Sequence, residues 1–185
     1  MGEAGEHDAL VAALGVDDAA RRALVSYLDL LASWSSRVNL TAARAPAARF
    51  DLLVRPVAAV AALPAAGTLL DVGSGNGSPG LVFAALRPDV RVTLLEPRVR
   101  RWAFLREAAR AMGVPAEVLR QRHDEYSGPP AGTVTVRALK LPPDELAGLA
   151  APGGRVIVFG AELPEAAALT AMAAPQAGVR VYRRY

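Results

Sequence analysis

The residues best placed to do chemistry lie between Asp71 and Gly80, in the run Asp71-Val-Gly-Ser-Gly-Asn-Gly-Ser-Pro-Gly80. Gly73, Gly75 and Gly77 let a backbone approach a ligand closely and adopt dihedral angles other residues avoid. A nicotinamide site would carry G-x-G-x-x-G, which sets a helix N-terminus against a pyrophosphate. Here Ser78 occupies the sixth position, and the acid Asp71 stands just before the loop. A carboxylate there repels pyrophosphate but suits the cationic amino-acid end of S-adenosylmethionine. Gly73, Ser74, Gly75, Gly77 and Ser78, with Asp71, are therefore expected to hold such a cofactor. Glu96 follows 19 residues after Gly77, at the end of an apolar run, where an acid can accept both hydroxyls of a ribose. His123 and Asp124 come after the next apolar run, where an adenine edge would lie.

The elements around these residues set their positions. Thr68–Val72, Val90–Leu95, Ala116–Arg120, Thr133–Val136 and Arg155–Phe159 read as strands, separated by helices or turns. That alternation predicts βαβ units in a parallel, doubly wound α/β sheet, with the ligand beyond the strands' C-terminal ends where strand order reverses. Before Gly67 the chain reads as helix. Asp17 or Asp18 caps a segment through about Ser36, with Leu24, Tyr27, Leu28, Leu31 and Trp34 on one stripe. A second helix spans about Ala47 to Leu63, kinked or restarted at Pro56. The chain is thus expected to be one domain, with residues 1–66 forming a helical part and 67–185 a Rossmann-like core.

Composition narrows the chemistry. The 185 residues contain no cysteine and only two histidines, His7 and His123. This excludes a disulfide framework, thiolate metal ligands and a cysteine nucleophile, and no metal is expected. The first ten residues carry acids where a secretory signal has a basic region. The apolar stretch Val57 to Ala66 is broken by Pro64 and too short to span a bilayer. A cytoplasmic protein without membrane contact is expected. Net charge is +3, and Lys140 is the only lysine among 21 basic residues. Arginine suits bidentate contact with phosphate, so an RNA partner is permitted. Arg98, Arg101 and Arg106, after Glu96, are expected to offer a basic edge to RNA, and Trp102 and Leu105 to enter the core.

Methyl transfer to a pyrimidine carbon usually needs a cysteine. Methylation of an exocyclic amine commonly uses an Asn/Asp-Pro-Pro-aromatic loop after the fourth strand, and that place here reads Val136-Arg-Ala-Leu-Lys140. An acceptor that is already nucleophilic, such as guanine N7, remains. It has a free lone pair and no proton to lose, so positioning and desolvation suffice.

Together these residues resemble the RsmG family, which methylates N7 of a guanine in small-subunit (16S) ribosomal RNA. The resemblance runs from about Tyr27 to Gly160. It rests on Trp34 and Asn39-Leu40-Thr41, the Asp71–Gly80 run with its Pro-Gly ending, Leu94-Leu-Glu96, Phe104-Leu105, Arg122 and Arg137-Ala138. It implies a class I S-adenosylmethionine-dependent methyltransferase fold with an N-terminal helical cap, S-adenosyl-L-methionine as cofactor, and the small ribosomal subunit as partner of a monomeric enzyme. It places Gly73, Ser78, His123, Asp124 and Arg137 at cofactor-contacting positions, and Arg137 near the reacting centre as the catalytic residue. The sequence departs from the family at Pro56-Val-Ala-Ala-Val60, where members carry His-x-x-Asp-Ser, and at Phe159-Gly160, where they carry Lys-Gly. Ser78 stands where a large apolar residue is more usual. The closing strand hairpin is expected to be incomplete. Two alternatives stay open: methyl transfer to another RNA or a small molecule, and a cofactor-binding module without turnover.

Overall fold

A computed structural model describes residues 2–64, 67–160, 162–173 and 175–185. The helical part contains α1 (Glu3–Ala12), α2 (Asp18–Trp34), α3 (Pro46–Leu53) and the single turn α4 (Arg55–Ala58). Asp17 caps α2 by accepting the amide of Ala20, and the predicted stripe Leu24, Tyr27, Leu28 and Leu31 is buried. Pro56 restarts the helix as predicted, since α3 stops at Leu53 and α4 begins at Arg55. The helix α1 lies within the expected helical part, although the sequence reading gave it no bounds of its own. The expected boundary at residue 66 falls on Ala65–Ala66, outside the described residues.

The core comprises β1 (Gly67–Val72), α5 (Gly80–Leu86), β2 (Val90–Leu95), α6 (Val99–Met112), β3 (Ala116–Leu119), β4 (Ala131–Arg137), α7 (Pro143–Leu149), β5 (Ala150–Phe159), β6 (Leu169–Ala171) and β7 (Val179–Arg184). These strands form one sheet in the order β3-β2-β1-β4-β5-β7-β6. The first five are parallel, but β7 pairs antiparallel with both β5 and β6. The five strands read from the sequence are thus parallel as expected, and the antiparallel edge lies beyond them. A short β6–β7 hairpin reverses the chain without the long crossover a parallel partner requires. The hairpin also corrects the expectation of an incomplete closure: β7 pairs with β5 from Arg155–Arg183 to Phe159–Val179.

Alternate residues of the central strands enter different cores, as a sheet covered on both faces requires. Leu69 and Ile157 join Tyr27, Leu53, Phe83 and Phe104 on the face packed by the helical part, α5 and α6. Leu70 and Val156 join Val134, Leu146 and Tyr182 on the other. Trp34 meets Phe104 edge-on, with ring centroids 5.7 Å apart, which fixes α2 against α6. Leu105 is core as expected. Trp102 is only half-buried, with its indole N–H donating to the Val118 carbonyl at 3.2 Å.

Candidate functional site

A cleft of about 710 Å³ opens beyond the C-terminal ends of β1, β2 and β4, lined there by Val72, Leu95 and Arg137. This is where the strand order turns back, the expected position for a ligand in such a sheet. The loop between β1 and α5 forms one wall, contributing Gly73, Ser74, Gly75, Asn76 and Ser78. Gly73, Gly75 and Gly77 hold φ values of 68°, 50° and 91°, a region that favours glycine. A Cβ on Gly73 would come within 2.8 Å of Leu139, and one on Gly77 within 2.7 Å of Leu81. Gly77 therefore serves the packing of loop on helix and does not face the cleft, contrary to the sequence expectation.

The loop amides decide what class of ligand fits. Ser74 N–H donates to the Leu95 carbonyl, Gly77 N–H to the Ser74 carbonyl, Ser78 N–H to Asn76 Oδ1, and Gly75 N–H to Glu96 Oε2. A phosphate-binding loop instead presents free amides to its anion. With these four donors already used, few amides of the loop are left to form the nest that a pyrophosphate needs.

Glu96 is 3% exposed and accepts two main-chain N–H groups, Gly75 at 3.0 Å and Arg98 at 2.8 Å. It therefore ties the loop to the start of α6. A carboxylate has about four lone-pair sites, so hydroxyls of a bound ligand can still be accepted from the cleft. Glu96 is the only acid among the described residues lining the cleft, whose rim carries Arg98, Arg101, Arg122 and Lys140.

Asp71 does not reach the cleft. It is 1% exposed, and β-strand alternation turns it toward its register partner Thr135, whose hydroxyl donates to Oδ1 at 2.6 Å. A direct contact with the cationic end of a ligand is thereby corrected: the acid supports the loop from beneath. Oδ2 has no hydrogen-bond partner and faces Gly80, where an added Cβ would lie 2.8 Å from it.

Burial pushes the Asp71 carboxyl up to about 6 from 3.8, opposed by the Thr135 hydroxyl. The folded chain thus keeps a proton that the unfolded chain has released. This favours the fold fully below the unfolded value, and the contribution is lost as pH rises through about 6. A gap of about two pH units corresponds to roughly 3 kcal/mol. The stability of Asp71→Asn relative to the natural chain should therefore rise by that order between pH 4 and pH 8. Urea unfolding of both proteins across this range tests it, because titrations they share cancel. A difference that stays flat would refute the assignment.

The remaining predicted residues divide. His123 lines the cleft, with Nε2 2.6 Å from Glu145 Oε2. Asp124 is exposed and faces away; the Arg122 guanidinium, 2.9 Å distant, holds its carboxyl below the usual range. Arg98 and Arg101 stand at the cleft mouth, where Arg101 also donates to the Asn39 carbonyl at 3.1 Å. Arg106 is not with them. Five residues beyond Arg101 the helix has turned it to another face, where its guanidinium lies 4.9 Å over the Trp102 ring.

Arg137 ends β4 at the cleft floor. Its guanidinium lies 4.7 Å over the Phe159 ring, and Nη1 donates to the Leu52 carbonyl of the helical part. Nε is buried without a partner, and burial lowers the pKa of the group. The sequence reading missed Tyr27, Leu40 and Asn76 as parts of the site. Tyr27 carried only a core signal, whereas Asn76 was a polar residue already visible within the glycine loop.

The sheet order and the glycine loop at the end of β1 define a class I methyltransferase fold. The RNA methyltransferase of Salinibacter ruber, solved in complex with S-adenosyl-L-homocysteine, shares it with a TM-score of 0.55 and 24% identity, over 70% of this chain and 90% of that one. Sequence similarity is more specific. The chain belongs to the family of rRNA small subunit methyltransferase G, whose profile matches residues 20–167. The ribosomal RNA small subunit methyltransferase G of Neisseria gonorrhoeae is 39% identical over 132 residues, 69% of this chain and 64% of the relative. That of Anaeromyxobacter dehalogenans is 40% identical over 146 residues, 74% and 68% respectively. The chain thus spans about two thirds of the length of these relatives.

Among the described residues no group of three or more His, Asp or Glu side chains is placed to hold a metal ion, and no helix is long and apolar enough to cross a membrane.

Proposed function

We propose that this chain is an S-adenosylmethionine-dependent methyltransferase acting on guanine N7 of small-subunit (16S) ribosomal RNA in the cytoplasm. The observation that carries the reading is the glycine loop, with four of its amides engaged within the protein, facing buried Glu96 in a chain of this family. The residues present fit the cofactor. The cleft volume lies within the roughly 300–1,000 Å³ of small-molecule sites. Glu96 would take the ribose hydroxyls, Gly73 and Gly75 would allow close approach of the chain, and His123 would stand at the far end of the cleft.

S-adenosylmethionine would supply an activated methyl group, which passes to the N7 lone pair and leaves a neutral thioether and a cationic base. No proton is removed, so this acceptor needs no general base. Among the described residues lining the cleft, Glu96 and His123 are both engaged by other groups. Arg137 is the residue we assign to the reacting centre. Stacked on Phe159 and bonded to Leu52, it is fixed in place before substrate arrives, where it would order the loop or counter an RNA phosphate without facing N7, which gains positive charge. Arg98 and Arg101 at the mouth would contact RNA phosphates.

The test is transfer of labelled methyl to small ribosomal subunits that lack the native mark, followed by nuclease mapping. Label confined to one guanine N7 is the expected result. Label on a different nucleotide, or none despite cofactor binding, would reject the acceptor assignment.

A further inference from the structure

The glycine loop has no side chains of its own at Gly73, Gly75 and Gly77, and its backbone sits at positive φ there. Something outside it must hold its shape. Glu96 supplies one anchor from the core, but the others reach the helical part. Tyr27, fully buried in the middle of α2, donates its hydroxyl to the Asn76 carbonyl at 3.0 Å. The Asn76 side chain works in two directions: Nδ2 donates to the Leu40 carbonyl at 3.2 Å, while Oδ1 accepts the Ser78 amide at 3.1 Å. Ser78, itself 3% exposed, donates its hydroxyl to the Leu53 carbonyl at 2.6 Å. The connection after α2 and the C-terminal end of α3 thus meet the ligand loop through side-chain bonds, and Leu40 is itself part of the cleft wall.

These bonds differ from general packing between two layers. The apolar contacts of α2 with α6 would hold the helical part in place without them. Each of these bonds ends instead on the segment that must hold its geometry for a ligand to bind. Burial also pushes the Tyr27 phenol up, so its hydroxyl remains a donor across the ordinary pH range.

We propose that Tyr27 and Asn76 are positioning residues through which the helical part sets the geometry of the cofactor loop. Ligand occupancy and docking of residues 39–41 and 52–54 are then coupled, and the coupling is reciprocal. The inference rests on the cleft taking an adenosyl ligand. Binding of S-adenosylhomocysteine to the natural chain, measured by calorimetry, checks that reading separately.

Given that binding, Tyr27→Phe removes one hydroxyl without changing the packed ring and should weaken S-adenosylhomocysteine about five- to tenfold. Asn76→Asp keeps the acceptor for Ser78 but sets a carboxylate against the Leu40 carbonyl, and should weaken it more than tenfold. For both variants the KM for S-adenosylmethionine should rise in parallel while kcat at saturating cofactor stays within about twofold, since no positioning contact of the acceptor is removed. Arg21→Ala serves as the control. It loosens α2 through the Arg21–Asp8 pair, far from the loop, and should leave affinity unchanged.

A lowered melting temperature with unchanged affinity in both variants would reduce the bonds to ordinary structure and overturn the proposal. Hydrogen exchange on the natural chain gives an independent readout should either variant fail to fold. Added S-adenosylhomocysteine should protect residues 39–41 and 52–54 together with 73–78, and protection confined to 73–78 would equally overturn it.

Discussion

Glu96→Ala should weaken S-adenosylhomocysteine binding at least a hundredfold while the sheet remains folded. The carboxylate holds two main-chain amides at 3.0 and 2.8 Å in a setting that is 3% exposed. Hydrogen bonds to a charged group contribute about 1.5–3 kcal/mol each, and a hundredfold loss needs only about 2.7 kcal/mol. Removing it frees Gly75 and the first turn of α6 together, and also deletes the acceptor for a ribose. Glu96→Gln is the sharper comparison. Its amide retains the shape, but its NH₂ group must confront one of two N–H donors, so it should rescue little. Glu96→Asp keeps the charge on a shorter stem and should fall between. Calorimetry on the three variants, with circular dichroism to verify the fold, measures the effect. Affinity within threefold of the natural chain in Glu96→Gln would show that the carboxylate does not shape the site.

Much of the fold was legible because its strands are short apolar runs between turn residues. β2 was read as Val90–Leu95, the range observed, since its end is marked by Glu96 and its start follows Pro88-Asp89. The bounds of α1 were not legible within the helical part: it buries only His7 and Val11 and has no clear apolar stripe. The closing hairpin was expected to be incomplete because the short β6 and the pairing of β7 with β5 are set by how the two strands connect, which local periodicity does not encode. Within the site, the glycine loop and Glu96 were visible as residue types at a spacing. Asp71 was misplaced for a geometric reason. Being next to the loop in sequence, it was read as facing the ligand, but the pleat turns Val72 to the cleft and Asp71 to Thr135. Arg106 was misplaced by helical phase. The tyrosine hydroxyl of Tyr27 was hidden because an apolar stripe predicts burial of a ring and says nothing of where its polar tip ends, here 49 residues away in sequence.

Arg137→Ala should reduce methyl transfer by a hundredfold or more, with affinity for S-adenosylhomocysteine within about threefold. The guanidinium is held on one side by the Phe159 ring at 4.7 Å and at its tip by the Leu52 carbonyl. It is partly buried, which lowers its pKa, so its attraction for an acceptor phosphate is little screened by water. Set against N7 itself, it would oppose the charge the base gains. Losing a fixed group that orients the acceptor typically costs about 10² in rate, as a small misplacement of the reacting atoms does. The loop, Glu96 and their mutual bonds are untouched by the change, which is why the adenosyl ligand should still bind. Arg137→Lys should not restore turnover. An ammonium on a flexible stem cannot keep both the planar contact with Phe159 and the bond to Leu52. Single-turnover transfer and calorimetry on the same preparations separate the possible roles. Lost transfer with retained affinity places Arg137 at the acceptor, whereas a parallel loss of affinity would make it part of the cofactor holder. Unchanged transfer would remove it from the mechanism, and would leave positioning by the loop and rim as the source of catalysis.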